Sequence, residues 1–286
     1  MRFQLPTADL FVPDGSDPSA ALARTTHLAV GAHQDDLEIM AFHGIKACYQ
    51  REDAWFLGVV VTDGGGSARD GRYRDCTDDE MKALRREEQR AAARLGEYAA
   101  CVQLDYPSAA VKQAADHRLV VDLAALLAAA RPRVVYTHNL ADKHDTHVAV
   151  ALRLLSALHT LPPDLRPERL LGCEVWRDLD WLAEEDKVAL DVSGDEDLQA
   201  ALLGVFDSQI AGGKRYDLAT LGRRRAHATY HASHGVDATT GLTFAMDLTP
   251  LLQDKALDPA AFALARIDRF RREVEGRLGR LGLDTP

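Results

Sequence analysis

Four apolar runs of strand length, each followed by a stretch of helical periodicity, constrain what this chain can become. The runs lie at about 26–32, 55–62, 99–104 and 133–137, and the segments behind them, about 36–51, 77–96, 116–130 and 148–158, read as helices. Parallel neighbours in a sheet need a crossover, and helices supply it. The alternation therefore predicts an α/β protein with a Rossmann-like, mostly parallel sheet flanked by helices. Further strands are expected at about 170–176 and 188–192, a mainly helical stretch at 195–230, and an amphipathic, docked terminal helix carrying Phe262, Leu264, Ile267, Phe270 and Val274. The expected division is an N-terminal extension (1–24), an α/β domain (25–248) and a helical C-terminal tail (249–286).

Right-handed crossovers bring the loops after the first four strands to one edge of the sheet, where ligands bind in such folds. Those loops hold His33-Gln34-Asp35-Asp36, the segment from Asp63 to Gly71, that from Asp105 to Ser108, and that from His138 to His147. Three ionisable groups within four residues at the end of the first strand are hard to explain by packing.

A net charge of -10 and a pI near 5.5 argue against a nucleic-acid or anionic membrane surface, since the overall field repels both. A small-molecule substrate, neutral or locally guided, fits better, and a homo-oligomer is compatible with the sequence. Cys48, Cys76, Cys101 and Cys173 stand without a C-x-x-C pair, as free thiols in a reducing compartment do. The first residues carry prolines and aspartates where a secretory segment needs an apolar core, and no run reaches membrane-span length. A cytoplasmic location is expected.

His33 and Asp36 can both reach one ion from a tight turn, and a third ligand from the fourth loop would complete a three-ligand site with an open position. His144 and His147 are the candidates, three apart at the start of a helix; one can be a ligand and the other an acid or oxyanion donor. Asp35 and Asp36 cannot easily both bind the ion, so one ligand and one general base is the natural division.

Ala32-His33-Gln34-Asp35-Asp36, Thr62-Asp63-Gly64, Arg85-Arg86-Glu87-Glu88 with Leu95-Gly96, and His144-Asp145-Thr146-His147 resemble the PIG-L/LmbE-like family of zinc-dependent deacetylases. The similarity runs from about residue 26 to 159. It implies His33, Asp36 and His147 as metal ligands, Asp35 as general base, and His144 as the group that stabilises the oxyanion or protonates the leaving amine. It also implies that Asp63 and the helix residues Arg85 and Glu88 line a sugar site, and Arg69, in the loop from Asp63 to Gly71 at the same sheet edge, is expected to bind substrate with them. The activity implied is removal of the acetyl group from an N-acetylated amino sugar or its conjugate, of the N-acetylglucosamine type, with Zn2+ or else Fe2+. Two positions depart from the family pattern: Gln34 replaces the usual proline, and His144-Asp145-Thr146-His147 replaces His-Pro-Asp-His. The second change moves a carboxylate by one position and leaves Asp142 or Asp145 to orient His144.

Other readings stand beside these. Arg85 and Glu88 also fit a solvated i,i+3 pair, and Arg223-Arg224-Arg225 a helix surface. Trp176 and Trp181 fit either a sugar-stacking platform or rim packing. His33-x-Asp35 with a distant histidine also spells the triad of a non-haem iron oxygenase, although such enzymes mostly use jelly-roll sheets. A catalytically idle sugar-binding module is the third alternative.

Overall fold

The structure, a computed structural model, describes residues 1–282. The last positions of the expected tail, 283–286, lie outside the described residues. Eight strands form one sheet: β1 (Asp9–Phe11), β2 (His27–Gly31), β3 (Phe56–Thr62), β4 (Ala100–Tyr106), β5 (Val134–His138), β6 (Arg169–Cys173), β7 (Lys187–Asp191) and β8 (Leu242–Asp247). Their order is β1-β4-β3-β2-β5-β6-β8-β7. Pairing is parallel from β4 through β3, β2 and β5 to β6, whereas β1 on β4 and β8 between β6 and β7 run antiparallel.

The central strands read as unbroken apolar runs because both faces are covered by helices; every residue of β3 is buried. Strand order reverses between β2 and β5. β3 and β4 lie to one side of that point and β6 to the other, so a crevice opens where the two chain directions diverge.

Local chemistry sets the helices around the crevice. Thr77 caps the helix Asp78–Leu95 through a reciprocal capping box with Glu80, and three acidic residues in its first turn complement the helix dipole. The helix expected over 36–51 is two, Asp36–Met40 and Phe42–Cys48, broken at Ala41. Arg224 explains the break: its Nη2 donates to the carbonyls of Glu38 and Ile39, at 2.8 and 3.1 Å, which a continuous helix would use for its own ladder. The Arg223-Arg224-Arg225 run is a surface only in part: Arg225 is exposed and Arg223 half-buried, whereas Arg224 is buried.

Four elements differ from expectation. The extension supplies an edge strand, β1, and a short helix, Pro18–Ala23. β8 lies beyond the strands expected from the pattern. The terminal helix Pro259–Arg280 docks through Phe262 on the core, through Phe270 against Trp181 and through Arg269 on Asp186 at 2.8 Å, with Ala263 buried, while Leu264, Ile267 and Val274 are exposed. All four cysteines are free. Among the described residues no helix is long and apolar enough to cross a membrane.

Candidate active site

The β2 turn is where the sequence concentrates its chemistry, and its backbone is unusual. Asp35 adopts φ +82°, a conformation that costs a non-glycine residue free energy unless the surroundings hold it. They do. Arg85 and Gln89, one turn apart on the helix Asp78–Leu95, clamp the turn from one side. Arg85 Nη2 donates to the Gln34 carbonyl at 2.5 Å, both terminal nitrogens of Arg85 donate to Asp35 Oδ2 at 3.2 Å, and the Asp35 N–H donates to Gln89 Oε1 at 3.3 Å. Gln34, where the family pattern has proline, ties the turn to the ends of β3 and β4 through the Thr62 carbonyl and Gln103 Oε1.

Asp36 points the other way, into a cluster of imidazoles. Its Oδ2 accepts the His33 N–H at 2.7 Å and lies 3.3 Å from His33 Nδ1, 3.4 Å from His138 Nε2 and 3.5 Å from His147 Nε2. His147 Nε2 is 3.2 Å from His33 Nδ1. The three ligand atoms of His33, Asp36 and His147 therefore stand 3.2, 3.3 and 3.5 Å apart. Ligands about 2.0–2.1 Å from a tetrahedral ion are separated by about 3.3 Å, so this set fits a zinc-like ion as it stands.

His138 belongs to the same cluster and could complete a second set with Asp36 and His147. Its Nε2, however, accepts the Ala32 N–H at 2.8 Å, and coordination through that nitrogen would sacrifice the bond. It stacks on His147, ring centroids 3.9 Å apart, and buttresses it. A third grouping, His33 with His144 and His147, is also close enough to hold an ion. It leaves the Asp36 carboxylate amid imidazoles with no ion to share, which favours the set that includes Asp36.

Electrostatics follow the geometry. Burial works to raise Asp36, but the His147 and His138 rings hold its carboxyl well below the usual range. Asp35 is pushed up to about 6 by burial, with Arg85 opposing and Asp36 adding to the rise. Burial lowers His147 to about 4, so its imidazole is neutral, the form a ligand requires. The shifted carboxylate of the second motif finds its answer in Asp142. Its Oδ1 accepts the His144 N–H at 3.0 Å and its Oδ2 accepts the Trp176 N–H at 3.1 Å and lies 3.5 Å from His147 Nδ1. His144 is the N-cap residue of the helix Asp145–Thr160, with its ring 4.6 Å from that of His147 and 5.0 Å from that of His33. Burial lowers its pKa, as does His33.

A cavity of about 590 Å³ opens over this cluster, lined by all four loops after β2 to β5 and by the helical region behind β7. His33, Asp35, Asp36, Asp63, Arg85 and His144 line it, with Trp176 and Tyr216 as its aromatic wall. His147 is fully buried beneath. Arg69 and Glu88 are placed elsewhere: the Arg69 guanidinium donates to the Gly65 carbonyl and to Asp78, and the Glu88 carboxylate accepts from the Ser208 N–H and hydroxyl. Arg85 is no solvated partner of Glu88, for it is 2% exposed and engaged by Asp35. Trp176 stacks near His144, centroids 6.3 Å apart, whereas Trp181 packs on Phe270.

Asp142 was one of the two carboxylates expected behind His144, whereas the part of His138 in the cluster, Tyr216, and Lys112, Lys143 and Lys214 of the cavity escaped the sequence reading. His138 carries a signal of its own, since it ends β5 at the same sheet edge as the other loops. Tyr216 carries none.

Residues 28–158 match the family described as "PIG-L: GlcNAc-PI de-N-acetylase". No curated protein matches the chain significantly. Solved structures share the fold, and three of them illustrate it. A conserved protein from Thermus thermophilus superposes with a TM-score of 0.61 at 21% identity, over 78% of this chain and 94% of its own. The 4-carboxy-2-hydroxymuconate hydratase GalB from Pseudomonas putida does so with 0.58 at 19% identity, over 78% and 96%. The N,N'-diacetylchitobiose deacetylase from Pyrococcus horikoshii gives 0.58 at 18% identity, over 77% and 83%. At such identities the likeness is one of fold.

Proposed function

Because residues 28–158 form a PIG-L family domain, we propose that the protein is a metal-dependent hydrolase that removes the acetyl group from an N-acetylated amino sugar or its conjugate. The observation that carries this reading is the triangle of His33, Asp36 and His147 ligand atoms, 3.2 to 3.5 Å apart, with the Asp35 carboxylate on the adjoining residue of the same cavity. Zinc or ferrous iron held there supplies Lewis acidity toward a carbonyl and lowers the pKa of water.

The chain's own residues do the rest. Both Arg85 contacts fall on Asp35 Oδ2, which leaves Oδ1 as the oxygen that takes a proton from the cavity, and a pKa near 6 keeps that carboxylate ionised yet basic at neutral pH. His144, across from it, donates toward the oxygen of the tetrahedral intermediate or to the departing amine. Asp142 fixes the backbone of His144 and sits behind His147, so one carboxylate orients two of the working imidazoles. Trp176 offers a flat face beside His144 for a sugar ring, and the cavity volume falls in the range of small-molecule sites.

Release of acetate and free amine from N-acetylglucosamine, its phosphates and its glycosides by zinc- or iron-loaded protein tests the reading. The fold also serves a hydratase, so product identity decides. Oxygen consumption dependent on 2-oxoglutarate would instead identify an oxygenase, and sugar binding without acetate release an idle binding module.

A further inference from the structure

Glu38 is a carboxylic acid buried away from the cavity. It lies on the short helix Asp36–Met40, 1% exposed, and neither it nor Gln89 lines the cavity wall. Its Oε1 accepts two hydrogen bonds, from Gln89 Nε2 at 2.8 Å and from the Tyr98 hydroxyl at 2.7 Å, while its Oε2 is buried without a partner. Arg224 Nη2 holds its backbone from another side, donating to the Glu38 carbonyl at 2.8 Å. A polar group left half-satisfied in the interior costs stability that an apolar side chain of similar size does not, so packing gives no reason for an acid here.

The reason lies in Gln89. A backbone N–H only donates, so the Asp35 N–H, 3.3 Å from Gln89 Oε1, requires the oxygen end of that side-chain amide. A half-turn of the amide would swap its ends and aim an NH2 group at the Asp35 N–H, donor against donor. Glu38 selects between the two forms, because Oε1 faces Gln89 as an acceptor and takes only the nitrogen end. Gln89 is fully buried, so solvent does not compensate a wrong orientation. Arg85 grips the Asp35 carboxylate and the Gln34 carbonyl, and the Asp35 N–H, at φ +82°, is left to Gln89. We propose that Glu38 is a positioning residue: through Gln89 it holds the Asp35 backbone in its left-handed conformation and so aims the Asp35 carboxylate into the cavity. The proposal rests on the hydrolase reading for the work Asp35 does, and on the buried chain Tyr98–Glu38–Gln89–Asp35 for the part of Glu38.

The test measures kcat and KM for amine release from N-acetylglucosamine, with kcat expressed per bound ion, in four variants. Glu38→Met keeps the length of the side chain without an acceptor oxygen, and Glu38→Asp draws the carboxylate back by one methylene; each should lower kcat by on the order of 10- to 100-fold with KM within about threefold of the wild type. Glu38→Gln, whose amide oxygen accepts from both Gln89 and Tyr98, should restore kcat to within about tenfold of the wild type and above both other substitutions. Tyr98→Phe removes the second donor to the same oxygen without touching Gln89, and should lower the melting temperature while kcat stays within about threefold. Folded Glu38→Met and Glu38→Asp proteins with wild-type kcat, a Glu38→Gln as slow as Glu38→Met, or a Tyr98→Phe that loses kcat as they do would each overturn the proposal, as would failure of both Glu38→Met and Glu38→Asp to fold. Should the wild type release no amine, the hydrolase reading fails and hydrogen exchange of the Asp35 amide decides separately. Exchange faster by about tenfold or more in Glu38→Met, and slow in Glu38→Gln, upholds the link from Glu38 to Asp35; equal exchange in all proteins overturns it.

Discussion

Arg85 and Asp35 meet deep in the protein, both terminal guanidinium nitrogens 3.2 Å from the same carboxylate oxygen. Burial raises Asp35 to about 6, and the cation keeps it from rising further. Asp35 accepts a proton only when ionised, so activity should be lost as pH falls through its pKa. Arg85→Gln should lower kcat and move that acidic limb to higher pH, with a smaller effect on KM. A pH profile of kcat for the two proteins checks this. A change in KM alone, with the limb in place, would assign Arg85 to the substrate instead.

Asp35 and Asp36 are neighbours in sequence with opposite surroundings, and their variants should behave differently. Asp36→Ala removes the carboxylate that three imidazoles face and should lose metal and activity together. Asp35→Asn should keep the ion while kcat falls by on the order of 10² to 10⁴. Metal content by elemental analysis alongside kcat separates the two, and retention of the ion by Asp36→Ala would reverse the roles.

Gly64 is the position where the loop behind β3 closes on the β2 turn. Its φ is +74°, and an added Cβ would stand 2.5 Å from Gln34 Oε1 and 3.3 Å from Arg85 Cβ. Gly64→Ala should cost roughly 1 to 2 kcal/mol of stability and lower kcat/KM as well, because the strain falls on the residues that hold Asp35. Urea unfolding and steady-state kinetics on one preparation would show whether the two losses travel together.

His27 gives a pH effect away from the reaction. Burial, with His43 adding, lowers it to about 4 in the folded protein, against about 6.5 when unfolded. The unfolded chain binds the extra proton between those values, so this contribution to stability is complete above about pH 6.5 and is lost as pH falls toward 4. His27→Gln should flatten that part of the curve. Urea midpoints near pH 7.5 and near pH 5 measure it, and an equal drop in both proteins would place the acid sensitivity at another group.

The sheet was legible because periodicity reports burial, and both-face burial writes unbroken runs such as 56–62. The convergence of four loops on one edge followed from crossover handedness alone. What sequence spacing does not carry is the rotation of a side chain about its helix. Arg85 turns inward to Asp35 while Glu88, three residues on, turns toward Ser208. Gly96 shows a second limit. A glycine closing a helical run reads as a left-handed stop, but its φ is −84°, Glu97 takes the left-handed conformation, and the glycine admits the Tyr98 ring, 2.5 Å from where a Cβ would be. Close approach between residues two apart leaves no trace in hydropathy. β8, six residues in a stretch for which the sequence suggested no element, depends on β6 and β7 for its identity as a strand.

The edge strand β1 has a bearing beyond its three residues. It covers the free side of β4, and Arg90 on Asp9 at 2.8 Å and Arg86 on the Thr7 carbonyl at 3.1 Å fasten it there. An uncovered β4 would offer an apolar strand with unpaired amides and carbonyls to any other chain in solution. The short N-terminal segment, which takes no part in the cavity, is thereby a guard against self-association, and its removal is expected to show first as turbidity during refolding, before any loss of metal.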